Sequence, residues 1–408
     1  MIQENDNNSQ NTKVSQGESL KANSSTTVVV GMSGGVDSSV TAAILKEQGF
    51  QVIGFFMKNW EETDENGVCT SAKDFEDVAR VCRKLDIPYY ATEFVEEYRD
   101  RVFAQFLKEY EAGYTPNPDI LCNREIKFDA FYDKAVQLGG DLLATGHYCR
   151  VIHSPTPQLL KGLDPLKDQS YFLHAIDGKK LSKVLFPIGD IHKTEVRKIA
   201  TKLDLATKNK KDSTGICFIG ERNFKPFLAQ YLKPKKGPFK LLNGETVGTH
   251  DGAQFYTLGQ RRGLGLGGEG DRWFVVAKDV STNTVFVERG ENHPALFSDE
   301  LWAVDAAWIA GRAPVTPGTE LKCKAKVRYR QSDQDCILKV EMSGKLHVQF
   351  SEPQRAVTPG QSVVFYQEDV CLGGAVIRQT GTLHKNNNFN NNNQSYDFVS
   401  RDSISSTT

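Results

Sequence analysis

The chain has 408 residues, a formal net charge of −1, and 39% hydrophobic against 25% charged residues. That length supports two or three cores rather than one, and the near-neutral charge excludes a uniformly basic nucleic-acid binder while leaving room for a localised basic face. No apolar run approaches the ~20 residues of a membrane span, and Met1-Ile2-Gln3-Glu4-Asn5-Asp6 holds no signal-type apolar region, so the expectation is a soluble cytoplasmic protein, monomeric when free. Residues 1–25, rich in Asn, Ser and Gln, read as a disordered extension. From Thr26 the pattern alternates: strand over 28–32, helix over 38–48, strand over 51–57, helix over 72–85, strand over 87–92, helices near 97–111 and over 124–138, strand over 141–145. This rhythm predicts an α/β fold with a doubly wound parallel sheet, covered on both faces and collecting ligands at its strands' carboxyl ends. Loops and helices follow to 232, reading as an insert or connecting region that completes a first domain over 26–232. From 238 the periodicity switches to two, with turns at Asn243-Gly244, Pro317-Gly318, Ser343-Gly344 and Pro359-Gly360. The expectation is a central small β domain over 233–310, a C-terminal all-β barrel over 311–383 and a disordered Asn-rich tail over 384–408.

The densest signal is Val28-Val29-Val30-Gly31-Met32-Ser33-Gly34-Gly35-Val36-Asp37-Ser38-Ser39. A β-branched run enters, two glycines turn, and apolar residues at helical spacing leave, which reads as strand, tight loop and helix. Glycines let backbone amides approach a phosphate, the Ser33 and Ser38 hydroxyls add donors, and the helix start supplies unpaired N–H groups and a positive dipole. Neither the Walker lysine nor G-x-G-x-x-G spacing is present. Asp37 beside a polyphosphate requires a cation such as Mg²⁺ between them. Phe56-Met57-Lys58-Asn59-Trp60 and Ala144-Thr145-Gly146-His147-Tyr148 also follow strands, so Met57 and Gly146 are placed to flank an adenine and its ribose. The segment Ser33 to Ser38 resembles the pyrophosphate-binding loop (PP-loop) of the ATP-pyrophosphatase group, in which ATP activates a carbonyl or carboxylate oxygen as its adenylate.

Eight cysteines, at 69, 82, 122, 149, 217, 323, 336 and 371, form no C-x-x-C pair and no zinc spacing, so no metal site is expected. Cys82 falls on the apolar face of a predicted helix, and Cys323 and Cys336 fall inside strands; all three read as inert buried thiols. Cys122 and Cys217 stand apart. Cys122 lies in Thr115-Pro116-Asn117-Pro118-Asp119-Ile120-Leu121-Cys122-Asn123-Arg124, a loop that two prolines hold extended before a helix whose dipole lowers a thiol pKa. Asp119 either moves a proton for a substrate or caps that helix. Cys217 follows Lys208-Asn209-Lys210-Lys211, where a thiolate is stabilised, or else it is a half-buried thiol in a turn.

In the β region Lys322, Lys324, Lys326, Arg328 and Arg330 alternate with Cys323, Ala325, Val327 and Tyr329. Five positive charges along one face repel unless an anion faces them, which favours phosphodiester contact over a merely solvated face. The Gly-rich Leu258-Gly259-Gln260-Arg261-Arg262-Gly263-Leu264-Gly265 either serves the same polyanion or is a flexible hairpin.

Together the PP-loop, Phe56 to Trp60, Thr115 to Phe128, Ala144 to Tyr148, Lys167-Asp168-Gln169-Ser170-Tyr171-Phe172 and Ser213-Thr214-Gly215-Ile216-Cys217-Phe218-Ile219-Gly220 resemble, in order, the tRNA-specific 2-thiouridylase family. The resemblance implies adenylation of O2 of the wobble uridine, position 34, in tRNAs for Lys, Glu and Gln, then replacement of that oxygen by sulfur to give 2-thiouridine, AMP and pyrophosphate. It implies Cys217 as persulfide carrier, loaded by a sulfur-relay protein from a cysteine desulfurase, and Cys122 as the thiol that completes transfer, leaving a Cys122–Cys217 disulfide. It implies Asp119 as acid/base group and Asn117, Pro118 and Asp119 as contacts to the flipped base. ATP, with Mg²⁺, is implied at Gly31, Met32, Ser33, Gly34, Gly35, Val36, Asp37, Ser38, Met57 and Gly146. The anticodon arm is implied at His147, Lys167, Asp168, Gln169, Arg328, Tyr329 and Gln361.

Overall fold

A computed structural model describes residues 23–60, 70–153, 156–212 and 224–381. The chain opens with β1 (Thr27–Met32), α1 (Val36–Glu47), β2 (Gln51–Lys58), α2 (Thr70–Leu85) and β3 (Tyr89–Glu93). Helix α3 spans 95–111 and α4 spans 118–137, each with a π-helical stretch inside, Arg99–Phe103 and Cys122–Ala130. Strand β4 (Leu142–Thr145), the hairpin β5 (Cys149–Ile152) and β6 (Gln158–Lys161), β7 (Val184–Leu185) and α5 (Lys193–Lys202) follow.

Strands β3-β2-β1-β4-β7 form a parallel sheet in that order. Its central strand is apolar without alternation because both faces are covered. Val28, Val30 and Met32 pack with Ala42 and Leu45 of α1 and Val78 and Cys82 of α2. Val29 faces the other way, into a core shared with Phe55, Tyr98, Phe106, Ile126 and Phe131. Cys82 is fully buried, and burial pushes its thiol up to about 11, as expected of an inert thiol.

Helix α4 starts six residues before the predicted 124. Pro118 takes its first position, where a missing N–H costs nothing, and the Asn117 side chain caps it by accepting from the Asp119 N–H at 3.1 Å. The residues that read as an extended proline loop are therefore partly a helix start.

Strands β8 (Gly237–Lys240), β9 (Thr246–His250), β10 (Trp273–Asp279) and β11 (Thr284–Arg289) form a small sheet in the order β10-β11-β8-β9. Six strands then close an antiparallel barrel: β12 (Phe297–Trp308), β13 (Glu320–Lys326), β14 (Gln334–Val340), β15 (Leu346–Arg355), β16 (Ser362–Gln367) and β17 (Val370–Thr380). The predicted boundary at 310/311 cuts this barrel, because β12 pairs with both β15 and β17 and so removes both open edges. Hairpin β5–β6, although from the first domain, extends the barrel sheet through Leu160 opposite Val370 and Leu159 opposite Cys371.

The five predicted cations do not share one strand face, since Arg328 and Arg330 lie beyond the strand. β13 ends at Lys326, whose side chain is buried against Asp168 at 3.4 Å and Asp333 at 3.6 Å, while the chain turns through Arg328 to Gln331. Lys322 and Lys324 remain exposed.

His174 sits where the first domain meets the barrel. Its Nδ1 hydrogen bonds the Tyr171 carbonyl at 2.9 Å, and a Cβ on Gly374 would lie 2.5 Å from its ring. Burial pushes its pKa down to about 4, below the ordinary value of 6.5. Above pH 6.5 both states are neutral; as pH falls, the unfolded chain takes up a proton that the folded chain refuses until about pH 4. Unfolding titrations are expected to show about 2 kcal/mol lost between pH 6.5 and pH 5 from this group, and His174→Gln flattens that share of the slope.

Candidate nucleotide and thiol site

The loop after β1 is tied to itself by hydroxyls. The Ser33 N–H donates to Ser38 Oγ at 3.2 Å, and the Ser38 and Ser39 hydroxyls donate to the Gly35 carbonyl at 3.2 and 2.8 Å. Gly34 has φ +73°, and a Cβ there would lie 2.7 Å from the Asp74 carbonyl of α2. Across the loop Gly146 follows β4, where a Cβ would lie 2.8 Å from the Ser38 nitrogen and 2.9 Å from the Asp37 carbonyl carbon. The first turn of α1, whose N–H groups lack intrahelical acceptors, is thereby pressed between β4 and α2. Gly146→Ala is expected to displace this turn and raise the ATP Kd by about tenfold or more, read by titration calorimetry.

Asp37 is not solitary. Its carboxylate accepts from the Tyr148 hydroxyl at 2.7 Å and from the Lys193 ammonium at 2.7 and 2.8 Å. Burial and the adjacent Asp37 raise the Tyr148 pKa, so the phenol stays a donor. Lys193 also pairs with Asp212 at 2.9 Å, and Asp212 receives Lys167 at 2.7 Å and Arg197 at 2.5 Å. Burial opposes ionisation of Asp212, but the bonds from Lys167 and Lys193 outweigh it and hold the carboxyl well below its usual range. In the folded chain a lysine ammonium, that of Lys193, already pairs with Asp37. The hydroxyls, glycine turn and helix start fit a triphosphate. Asp37, paired with Lys193, is the loop carboxylate that would face a Mg²⁺ ion brought with that triphosphate; among the described residues no three Cys, His, Asp or Glu side chains gather around a metal position.

Cys122 lies one turn into α4 and is buried. The adjoining Asn123 donates to the Phe172 carbonyl at 3.1 Å, and Phe172 packs against Tyr329 with ring centroids 4.4 Å apart. Tyr329 in turn reaches the Lys167 carbonyl at 3.5 Å. On the other side, Gln361 donates to the Thr115 carbonyl at 2.6 Å and the Thr115 N–H to the Pro359 carbonyl at 2.9 Å. Barrel and first domain thus meet at the start of α4, bringing Asn117, Pro118, Asp119, Lys167, Tyr329 and Gln361 to one region.

Within it, some predicted contacts face inward. Asp168 is buried, accepting from the N–H groups of Gly162 and Ser170 and from the Ser170 hydroxyl, each at 3.1 Å. Gln169 is half-buried and accepts from the Tyr148 N–H at 2.9 Å, whereas Arg328 is exposed and donates to the carbonyls of Arg355 and Ala356. His147 shares a 2.7 Å hydrogen bond with Thr145, and burial, then Lys127, push its pKa well down, so the ring is neutral. Cys217 and its predicted disulfide with Cys122 lie outside the described residues.

Sequence reasoning missed Lys193, Asp212 and Arg197. One signal was present: a lysine in the first turn of a helix opposes the helix dipole, which points to a nearby anion.

A doubly wound parallel sheet opening on a serine-glycine anion loop, followed by a small β unit and a closed barrel, defines a PP-loop nucleotide-binding protein with β-barrel appendages. Residues 26–221 match the model of the tRNA methyl transferase HUP domain, 225–289 that family's PRC-barrel domain, and 298–377 the aminomethyltransferase β-barrel domain. The tRNA-specific 2-thiouridylase MnmA of Protochlamydia amoebophila is 58% identical over 360 residues, covering 88% of this chain and 95% of that protein. Those of Exiguobacterium sibiricum and Staphylococcus haemolyticus are each 56% identical, covering 88% and 87% of this chain and 95% and 97% of theirs. The chain belongs to the tRNA-specific 2-thiouridylase family.

Proposed function

We propose that this protein is an ATP-dependent tRNA sulfurtransferase that converts the wobble uridine of Lys, Glu and Gln tRNAs to 2-thiouridine. What supports the reading most is a continuous chain of contacts from the nucleotide loop to the thiol helix: Asp37, Lys193, Asp212, Lys167, Tyr329, Phe172, Asn123 and then Cys122. Two half-reactions on one substrate require such adjacency.

Uridine O2 is a poor leaving group, and ATP makes it a better one. The base leaves its stack to reach Asn117, Pro118 and Asp119. O2 attacks the α-phosphorus, the bond to pyrophosphate breaks, and the N3 proton passes to Asp119. The hydroxyls of Ser33 and Ser38, the first-turn amides of α1 and Lys193 hold the departing pyrophosphate, where charge accumulates. The terminal sulfur of a Cys217 persulfide, delivered by a relay protein or cysteine desulfurase, then attacks C2, and the C2–O2 bond breaks to release AMP. The Cys122 thiolate attacks the Cys217 sulfur, leaving sulfur on C2 and a Cys122–Cys217 disulfide, while N3 regains its proton. A dithiol reductant resets the pair.

The route makes an isotopic demand. With tRNA carrying ¹⁸O at uridine O2, the label is expected in the phosphate of AMP and absent from pyrophosphate. Unlabelled AMP alongside thiolated tRNA contradicts adenylation at O2.

A further inference from the structure

The glycine-rich segment 258–273, between β9 and β10, takes no part in the chemistry above. It carries the exposed Arg261, Arg262 and Arg272, with Arg289 of β11 and Arg355 of β15 beside it. Two cavities of ≈ 440 and ≈ 450 Å³ open on the segment, and Arg261 lines both.

Two of these cations are held in place without being neutralised. Arg289 lies over the Trp273 ring at 4.1 Å and donates to the Asp271 carbonyl at 2.7 Å. Arg355 lies over Phe274 at 5.0 Å and donates to the Glu291 carbonyl at 3.0 Å. Among the described residues none of the five is in an ion pair with a carboxylate. Asp271 and Glu291 line the same two cavities, and five arginines against these two carboxylates leave a positive excess that favours an anionic partner.

The segment is continuous with the thiol site. Thr257 Oγ1 lies 3.4 Å from Thr115 Oγ1. Gly259, at φ +77°, packs so closely on the barrel that a Cβ there would lie 2.7 Å from the Ala356 Cβ, and Arg328 donates to the Ala356 carbonyl at 2.9 Å. A polyanion whose reacting base sits near Asp119 therefore has the arginine face next to it.

We propose that this arginine-glycine face binds phosphodiesters of the tRNA outside its anticodon loop, an inference that rests on the tRNA reading above. The indole of Trp273 is already covered by Arg289, so the face offers charge and close backbone approach rather than a platform for base stacking. Its contribution is independent of base sequence.

The test is binding of an unmodified glutamate tRNA transcript and of its isolated anticodon stem-loop across a salt series, using the wild type and the Arg261→Gln/Arg262→Gln/Arg272→Gln variant. Arg289 and Arg355 are left intact because they anchor the loop. On full tRNA the variant is expected to lose at least about tenfold in affinity at 0.1 M salt and to flatten the salt slope by about 0.7–0.9 per lost contact, with a smaller loss on the stem-loop. Replacing the same three arginines by lysine keeps the slope. If the wild type binds no tRNA, the functional reading fails and takes this proposal with it. If the wild type binds and the glutamine variant matches it in affinity and slope, the proposal alone is overturned and the face is left to an acidic protein. Equal losses in the lysine and glutamine variants also overturn it, since the loop's shape would then be the cause.

Discussion

Cys122→Ala is expected to reduce persulfide-dependent formation of 2-thiouridine by at least about 10³-fold while leaving tRNA-dependent AMP release within a few-fold of wild type. The separation follows from placement. The anion loop is built by β1, α1, Gly146 and Lys193. The thiol instead sits one turn into a helix that begins at Pro118 and is capped by Asn117, beside Asp119 and the contacts of Asn123. Removing one sulfur atom from a buried side chain is a modest packing change, so Cys122→Ser serves as a second variant of nearly wild-type size. Both are compared in thermal melting and in single-turnover AMP release. Retention of thiolation from a persulfide donor in either variant removes Cys122 from the transfer step.

Lys193→Gln is expected to lower kcat/KM for ATP by about 10²-fold, with tRNA affinity within about twofold of wild type. The ammonium joins Asp37 at 2.7 Å to Asp212 at 2.9 Å. Without it, the Asp37 carboxylate stands unneutralised at the loop that must accept a triphosphate, and charges at such spacing interact by several kcal/mol at an effective dielectric of about 20. Lys193→Arg keeps the charge and is expected to recover most of the loss. Asp37→Asn placed on the Lys193→Gln background relieves the repulsion, so the double variant is expected to lose less than the sum of the two single changes. A Lys193→Gln protein with a lower melting temperature and an unchanged KM for ATP would make the residue a structural tie.

How much of this was legible in sequence depends on the distance over which each feature is decided. The PP-loop is local: a β-branched strand, two glycines and a helix follow one another within 28–47, so composition and spacing carry it. The start of α4 is also local but ambiguous, because Asn117-Pro118 is both a loop signal and a cap with proline in the first position; the Asp119 N–H decides for the cap. Lys326 reads as one of five alternating cations, yet it is buried by Asp168, 158 residues away, and nothing in its own strand signals that pairing. The same holds for Lys193 and Asp37, separated by 156 residues. Strand β12 looks like part of the preceding unit until its partners β15 and β17 are known, since barrel closure is a property of the whole set. Cys217 stands out in sequence through the lysine-rich run before it, its role as persulfide carrier is what the resemblance implies, and its surroundings lie outside the described residues.

The central claim is that one protein couples ATP to sulfur insertion at the wobble uridine. Its most direct test is nucleoside mass spectrometry of unmodified Lys or Glu tRNA transcript after incubation with the protein, ATP, Mg²⁺ and a persulfide donor, with a transcript bearing cytidine at position 34 as control. The expected result is 2-thiouridine in the first transcript, none in the second, and AMP in proportion to the thiolated nucleoside. Continued AMP release with no sulfur in either transcript contradicts the claim and assigns the adenylating site to a different substrate.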